Sequence, residues 1–240
     1  IFKMKKLGIN IDHVATLRNA RGEGHPNIIE IAKAVKKAGA NSITVHLRED
    51  RRHIKDFDLK ILCKKDFLIN MEMAANLKMM KIAIRNKPNY VCLVPEKRNE
   101  ITTEGGLNLN KNFSLIKKIT TKLNKKKIRT SLFIDPTIAN LKLAKKIGAK
   151  CVELHTGRIS RLIKNNKKFI KELNKIKKSA NFANKNNIEV HAGHGLDYKT
   201  TKILSKIIYI TEYNIGHFII GESIKIGISR VIQNFKKILR

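Results

Sequence analysis

Eight short apolar runs punctuate this chain, and after each comes a stretch with apolar residues at helical spacing. The runs are LGINID, SITVHL, LINMEM, YVCLVP, IRTSLFI, CVELHT, IEVHAG and YNIGHFII. The helical spacing is clear at Ile28, Ile31, Ala32 and Val35, again at Leu115, Ile116, Ile119 and Leu123, and again at Leu141, Ala144 and Ile147. Strand-then-helix units joined by short links demand a parallel sheet. Eight such units in 240 residues favour closure into a barrel over an open sheet, since a barrel of this kind takes about 250 residues. The expected fold class is therefore α/β, a (β/α)8 TIM barrel with additional helices, forming one domain over residues 1–240. The crossover from Ile163 to Asn187 is longer than one barrel helix needs and has room for an extra helix. Gly39 in KKAGANSITVHL and Gly148 in KKIGAKCVELHT stand where a helix ends and a left-handed residue is needed.

Parallel strands are covered on both faces and normally read as apolar throughout. These do not. With a period of two, Thr44, His46 and Arg48 share one face of the second strand, and Ile43, Val45 and Leu47 share the other. The same division separates Asn10 and Asp12 from Ile9 and Ile11, Asn70 and Glu72 from Ile69, Met71 and Met73, and Glu153 and His155 from Val152 and Leu154. A single such position fits a satisfied core network. Four strands that each place polar groups near their C-terminal ends predict a site at the barrel mouth, where catalytic residues of this architecture sit. An unpartnered buried polar group costs about 1–3 kcal/mol, so a fold keeps several together where they serve chemistry.

Arg48, Arg51, Arg52 and His53 follow the second strand as it leaves the barrel. Guanidinium forks suit phosphate oxygens, although Glu49 and Asp50 compete for them. A second anion position is suggested by HAGHGL and NIGHFIIG, whose Gly193, Gly195, Gly216 and Gly221 are expected in the loops after strands seven and eight, the usual phosphate location. Two facing anion positions predict two phosphorylated substrates or one bisphosphate. The Gly105-Gly106 pair in PEKRNEITTEGGLNL marks a hinge for a closing loop. Neither His191 with His194 nor Asp12 with His13 has a recognised ligand spacing, so no metal is expected, and no cofactor. A Schiff-base lysine on an aldolase-type barrel acting on phosphorylated sugars is the alternative chemistry, with Lys97 its only motif-like lysine.

The formal charge is +32, which invites a nucleic-acid reading. The lysines, however, are spread over almost every helical segment instead of one stripe, so no nucleic-acid partner is expected. Long-range attraction of anionic substrates is compatible with that charge. No run approaches the 18 or so apolar residues of a membrane helix, and no signal peptide is read at the start of the sequence. Cys63, Cys92 and Cys151 are scattered, odd in number and outside any paired motif, which suits a reducing, cytoplasmic setting.

Seven stretches in order, GINIDHVATLRNARG, ITVHLREDRRHI, NMEMA, VPEKRNEITTEGGL, ELHTG, AGHGL and NIGHFIIG, resemble the pyridoxine 5′-phosphate synthase family, and the likeness runs from about Leu7 to the last helix. The resemblance implies a homo-oligomer, an octamer in many members, and condensation of 1-deoxy-D-xylulose 5-phosphate with 3-amino-2-oxopropyl phosphate in vitamin B6 synthesis. It implies His46 and Glu72 as proton acceptors and His194 as a proton donor. It implies Asn10, Arg21, Gly195, Gly216 and His217 around the aminoketone phosphate. It places Asp12, His13, Arg48, His53 and Thr102 around the deoxyxylulose phosphate, with Glu153 supporting the site. The chain departs from the family pattern at His191, where Asn is usual, and in the more basic turn TGRISRL.

Overall fold

The computed structural model describes residues 4–96 and 105–240. Eight parallel strands close in sequence order: β1 (Lys6–Asn10), β2 (Ser42–His46), β3 (Ile69–Ala74), β4 (Tyr90–Val94), β5 (Arg129–Ile134), β6 (Cys151–His155), β7 (Glu189–Gly193) and β8 (Glu212–Ile215). The seam is made by β8 against β1, with Lys6 opposite Glu212 and Ile9 opposite Ile215. The same barrel was expected from the alternation of strand and helix patterns.

Among the described residues eleven helices surround the barrel. Single helices follow β2 to β5 and β7: α3 (Asp56–Leu62), α4 (Leu77–Asn86), α5 (Phe113–Lys125), α6 (Ile138–Ile147) and α9 (Tyr198–Leu204). Pairs follow β1, β6 and β8: α1 (Asp12–Arg21) with α2 (Ile28–Lys37), α7 (Gly157–Lys164) with α8 (Ile170–Lys185), and α10 (His217–Ile226) with α11 (Ile228–Leu239). The first member of each pair begins within two residues of its strand, so these three helices start at the C-terminal mouth. The extra helix expected after strand six is present. The run YNIGHFII is shorter as a strand than it reads: β8 ends at Ile215, and Phe218 to Ile220 belong to α10. Apolar content does not distinguish a buried strand from the first turn of a buried helix.

Caps fix where the outer helices begin. Asn27, Asn76, Thr137 and Asp197 each accept a hydrogen bond from a first-turn N–H of α2, α4, α6 and α9, satisfying donors that would otherwise be orphaned. Gly148 closes α6 at φ 87°, and Gly39 follows α2 at φ 99°. Both take the left-handed conformation expected of them.

The core lies between sheet and helices. Ile9, Val45, Met71, Leu93, Leu132, Val152, Val190 and Tyr213 are fully or almost fully buried there, one face of the pleat on every strand. The inward face is different. Thr44, His46, Asn70, Ser131, Glu153, His191, Glu212 and Asn214 are also buried, and the apolar content of that face forms a separate small cluster of Cys92, Val94 and Phe133. Glycine makes the space: a Cβ on Gly193 would run into the Glu153 carboxylate, and one on Gly8 would meet Ser42 Oγ at 2.7 Å.

One ion pair ties α1, which carries part of the mouth, to α3. Arg18 donates through Nη1 and Nη2 to the two carboxylate oxygens of Asp58 at 2.7 and 2.8 Å, in a buried setting. Asp58 also accepts from the Lys55 N–H. Removing one partner strands the other charge, so Asp58→Asn should cost about 3–5 kcal/mol. Denaturant unfolding of the variant measures this, and a loss below 1 kcal/mol would mean that the pair does not hold α1.

Candidate active site

The inward pleat delivers its polar side chains to one cavity of about 610 Å3 at the C-terminal mouth. Of the residues expected at the site, Asn10, Asp12, His13, His46, Arg48, His53, Glu72, Glu153, His194, Gly195, Gly216 and His217 all line it. Arg21 does not. It sits at the end of α1, exposed, and pairs with Glu23 at 3.1 Å. Thr102, Lys97 and most of the expected closing loop lie outside the described residues. The lysines on the described wall are Lys164 and Lys225.

Asp12 begins α1 directly after β1. Its Oδ1 accepts from the His46 backbone N–H at 2.8 Å, and its Oδ2 accepts from Asn10 Nδ2 at 2.8 Å. Burial raises its pKa to about 6, against the lowering effect of His46. In the register of β2 and β3, His46 lies opposite Glu72, which places both on the inward face. His46 Nδ1 is 3.7 Å from Glu72 Oε2. On its other side, His46 Nε2–H donates to Glu96 Oε1 at 2.8 Å. Glu96 also accepts from the Glu49 N–H at 3.0 Å. Burial works to raise the Glu96 carboxyl, but the bond from His46 prevails and holds it below its ordinary range.

Glu72 is the opposite case. Burial, and then the like charges of Glu153, Asp12 and Glu96, push its pKa well above the ordinary carboxylate value. It therefore holds its proton more firmly than an ordinary carboxyl does. Glu153, one layer deeper, is raised to about 7 by burial, against His191 and the bond that Asn214 Nδ2 donates to it at 2.6 Å. His194 holds a left-handed backbone at φ 79°. Burial, with His155, Arg161 and Lys164 close by, lowers its pKa to about 4. Its ring lies 5.1 Å from that of His155, whose Nδ1–H donates to Asp135 at 3.1 Å. The site thus sets Glu72, whose proton is held unusually firmly, beside His194, whose proton is held weakly, a set suited to proton transfer.

Residues of both expected anion positions line this one cavity. In the first stand Arg48 and His53; burial and the nearby His46 lower the His53 pKa to about 4. Each arginine of that stretch has an acidic partner, Arg48 with Asp50 at 3.5 Å. Arg51 binds Asp56 at 2.7 Å and Arg52 binds Asp50 at 2.6 Å, so the competing ion pairs expected there do form, in part with a different acid. In the second, Gly195 lies in the loop after β7 and Gly216 caps α10. A Cβ on Gly216 would meet Asn10 Cβ at 2.9 Å, so the chain can pass close only as glycine. The first N–H groups of α10 at this point offer an anion cradle. Gly221 is not in a loop, as expected, but lies within α10.

Two residues carry more of the site than the sequence suggested. Glu96 continues the inward parity of Cys92 and Val94 one step past β4, and that parity is the signal that could have found it. Asn214 holds Glu153 through β8, a strand read mainly for its glycines. Asp12, His46 and Glu72 bring ligand atoms within 4.8 Å of one another. The bond of His46 to Glu96 and the raised pKa of Glu72 fit this trio to proton transfer better than to a cation. His191 and His194, both considered as ligands, lie at different depths, with His191 bonded to Glu189.

Comparison with known proteins adds an independent line. The family model described as pyridoxal phosphate biosynthesis protein PdxJ matches residues 7–240. The pyridoxine 5′-phosphate synthase of Pelagibacter ubique is 60% identical over 236 residues, covering 98% of this chain and 99% of that protein. That of Zymomonas mobilis is 47% identical, covering 99% and 92%. Among solved structures, the 3-keto-L-gulonate-6-phosphate decarboxylase of Vibrio cholerae superposes with a TM-score of 0.68 at 9% identity, covering 99% and 98%, which shows the shared barrel alone.

Glu153 offers a test of the buried-acid reading. Its folded pKa of about 7 stands above the ordinary 4.5, so the folded state binds more protons than the unfolded one between those values. Its stabilising contribution is present below the unfolded value and is lost as pH rises through the folded one. Glu153→Gln, which keeps an acceptor for Asn214, should match the parent in stability near pH 4 and exceed it by pH 8. Thermal melts across that range measure the gap, and a gap that fails to open with pH would contradict the shift.

Proposed function

Because the chain belongs to the PdxJ family of pyridoxal phosphate biosynthesis proteins, we propose that it condenses 1-deoxy-D-xylulose 5-phosphate with 3-amino-2-oxopropyl phosphate into pyridoxine 5′-phosphate. The observation that best supports this reading is the convergence of two proton-transfer groups shifted in opposite directions, Glu72 and His194, with the residues read as anion ligands in one cavity. In this reading Arg48, His53, His13 and Asp12 receive the deoxyxylulose phosphate. Gly195, Gly216, His217 and Asn10 receive the aminoketone phosphate. Arg21, exposed on α1, has no part within a single chain.

The reaction moves protons at every step. The substrate amine attacks the ketone of the other substrate, and loss of water gives an imine between the two. Elimination then releases inorganic phosphate, a carbon–carbon bond closes the ring, and a second water leaves as the ring becomes aromatic. The imine forms between substrates, so no enzyme lysine is required, which sets this reading apart from the aldolase alternative. Holding both substrates in one closed space replaces a bimolecular encounter with a positioned one.

The roles of His46 and Glu72 as acceptors and His194 as donor run against the directions in which burial shifts Glu72 and His194. The substrates bring the charges that would reverse them. A phosphate at Gly195, beside His194, favours the imidazolium; an ammonium group near Glu72 favours the carboxylate. With His46 Nε2–H committed to Glu96, its Nδ1 is left as an acceptor on the Glu72 side. Glu153 and Asn214 fix the floor beneath these groups. By family likeness the chain is further read as a cytoplasmic homo-oligomer.

Glu72→Gln should fold and lose at least about 100-fold in turnover, the usual contribution of a positioned acid or base. Product formation from both substrates, followed by mass, measures it; near-parental turnover would remove Glu72 from the mechanism. Arg48→Ala should raise the KM for deoxyxylulose phosphate much more than that for the aminoketone phosphate. Equal increases would contradict the two-position assignment. If the parent chain makes no pyridoxine 5′-phosphate from the pair, the proposed reaction itself fails.

A further inference from the structure

At the opposite, N-terminal end of the barrel, the first residues of four strands bring charge together again. Cys151 begins β6, Glu189 begins β7, Glu212 begins β8 and Arg129 begins β5. The register sets Cys151 opposite Glu189 and His191 opposite Glu212. Cys151 Sγ, a Glu189 carboxylate oxygen and a His191 ring nitrogen all lie within 4.8 Å of one another. None of these residues belongs to the proposed reaction.

We propose that this cluster is a binding site for a divalent cation of the zinc class, ligated by Cys151, Glu189 and His191, with Glu212 in reach as a fourth ligand. The ligand set carries the choice of ion. Thiolate with imidazole and carboxylate suits zinc, whereas calcium and magnesium take oxygen ligands alone. The spacing agrees. His191 Nε2 stands 3.1 Å from Glu189 Oε1 and 3.9 Å from Glu212 Oε2. A tetrahedral ion with bonds of about 2.0–2.1 Å spaces its nitrogen and oxygen ligands by roughly 3.3 Å.

The surroundings are those of held ligands. Each carboxylate has one oxygen fixed by an outer donor and the other turned toward His191. Arg129 binds Glu189 through Oε2, leaving Oε1. Ser42 Oγ–H donates to Glu212 Oε1 at 2.7 Å, leaving Oε2. Thr211 makes a longer contact of 3.4 Å to Glu189 Oε1. Outer partners of this kind orient metal-binding carboxylates. The formal charges also close: two carboxylates and a thiolate are matched by Arg129 and a divalent ion. Cys151, His191 and Glu212 are buried, while the Glu189 side chain keeps 30% exposure, which gives the ion a way in from the barrel's end. Bound there, the ion would tie β6, β7 and β8 together beneath the reaction cavity.

The test uses the full chain stripped with a chelator and titrated with cobalt(II), then zinc(II). One equivalent of cobalt should bind with a thiolate-to-metal charge-transfer band and the visible bands of a tetrahedral ion, and zinc should displace it. Cys151→Ser should abolish the charge-transfer band, and His191→Asn should weaken binding at least tenfold. Binding without that band, or binding unchanged in both variants, would assign the metal to surface histidines and overturn the site, as would no binding. Should either variant fail to fold, X-ray absorption on the zinc-loaded parent decides. One sulfur among nitrogen and oxygen ligands is expected; a shell without sulfur overturns the proposal.

Discussion

The whole arrangement depends on burying carboxylates inside a closed sheet. A barrel of eight parallel strands usually fills its interior with branched apolar side chains. Here the inward pleat carries Glu72, Glu153, His46, His191 and Asn214, and the outward pleat alone supplies the continuous core. Charges that cannot be solvated must be neutralised, paired or hydrogen-bonded. Each of these outcomes is present. Glu72 is pushed toward its neutral form, Glu96 pairs with His46, and Glu153 accepts from Asn214. The chemistry proposed for the mouth is a consequence of how the fold meets that constraint.

The same constraint links stability to function. A carboxyl held protonated by burial is a destabilising element above its folded pKa, so the barrel sacrifices stability to keep acids in reserve. Compensation sits outside the cavity: the buried Arg18–Asp58 pair anchors α1, side-chain caps start four outer helices, and the apolar shell between sheet and helices is continuous. Glycine serves the interior in a different way. Gly8 and Gly193 leave out the Cβ atoms that would collide with Ser42 and Glu153. The large polar groups fit because small neighbours make room.

Much of this was legible in the sequence, because two periodicities carry it. The alternation of strand and helix patterns gave the barrel. The period-two division of Thr44 and His46 from Ile43 and Val45 gave the inward set. What was not legible lay where periodicity ends. Glu96 stands just past the last paired residue of β4, and Phe218 to Ile220 continue an apolar run into a helix. Arg51 reads as an anion ligand by residue type and Arg21 by the family resemblance, yet their partners Asp56 and Glu23 lie close in sequence and take them up. The cluster of Cys151, Glu189 and His191 at the other end of the barrel was invisible for a further reason. Its members come from different strands at no fixed spacing, and only closure of the barrel brings them together.

The central claim is that burial and neighbouring like charge hold a proton on Glu72 well beyond the ordinary acidic range. Infrared difference spectroscopy of the substrate-free protein against Glu72→Gln reads this directly. A protonated carboxyl C=O absorption at pH 7 that is absent from the variant is the predicted result. A carboxylate signal at Glu72 that titrates in the ordinary acidic range would contradict the account.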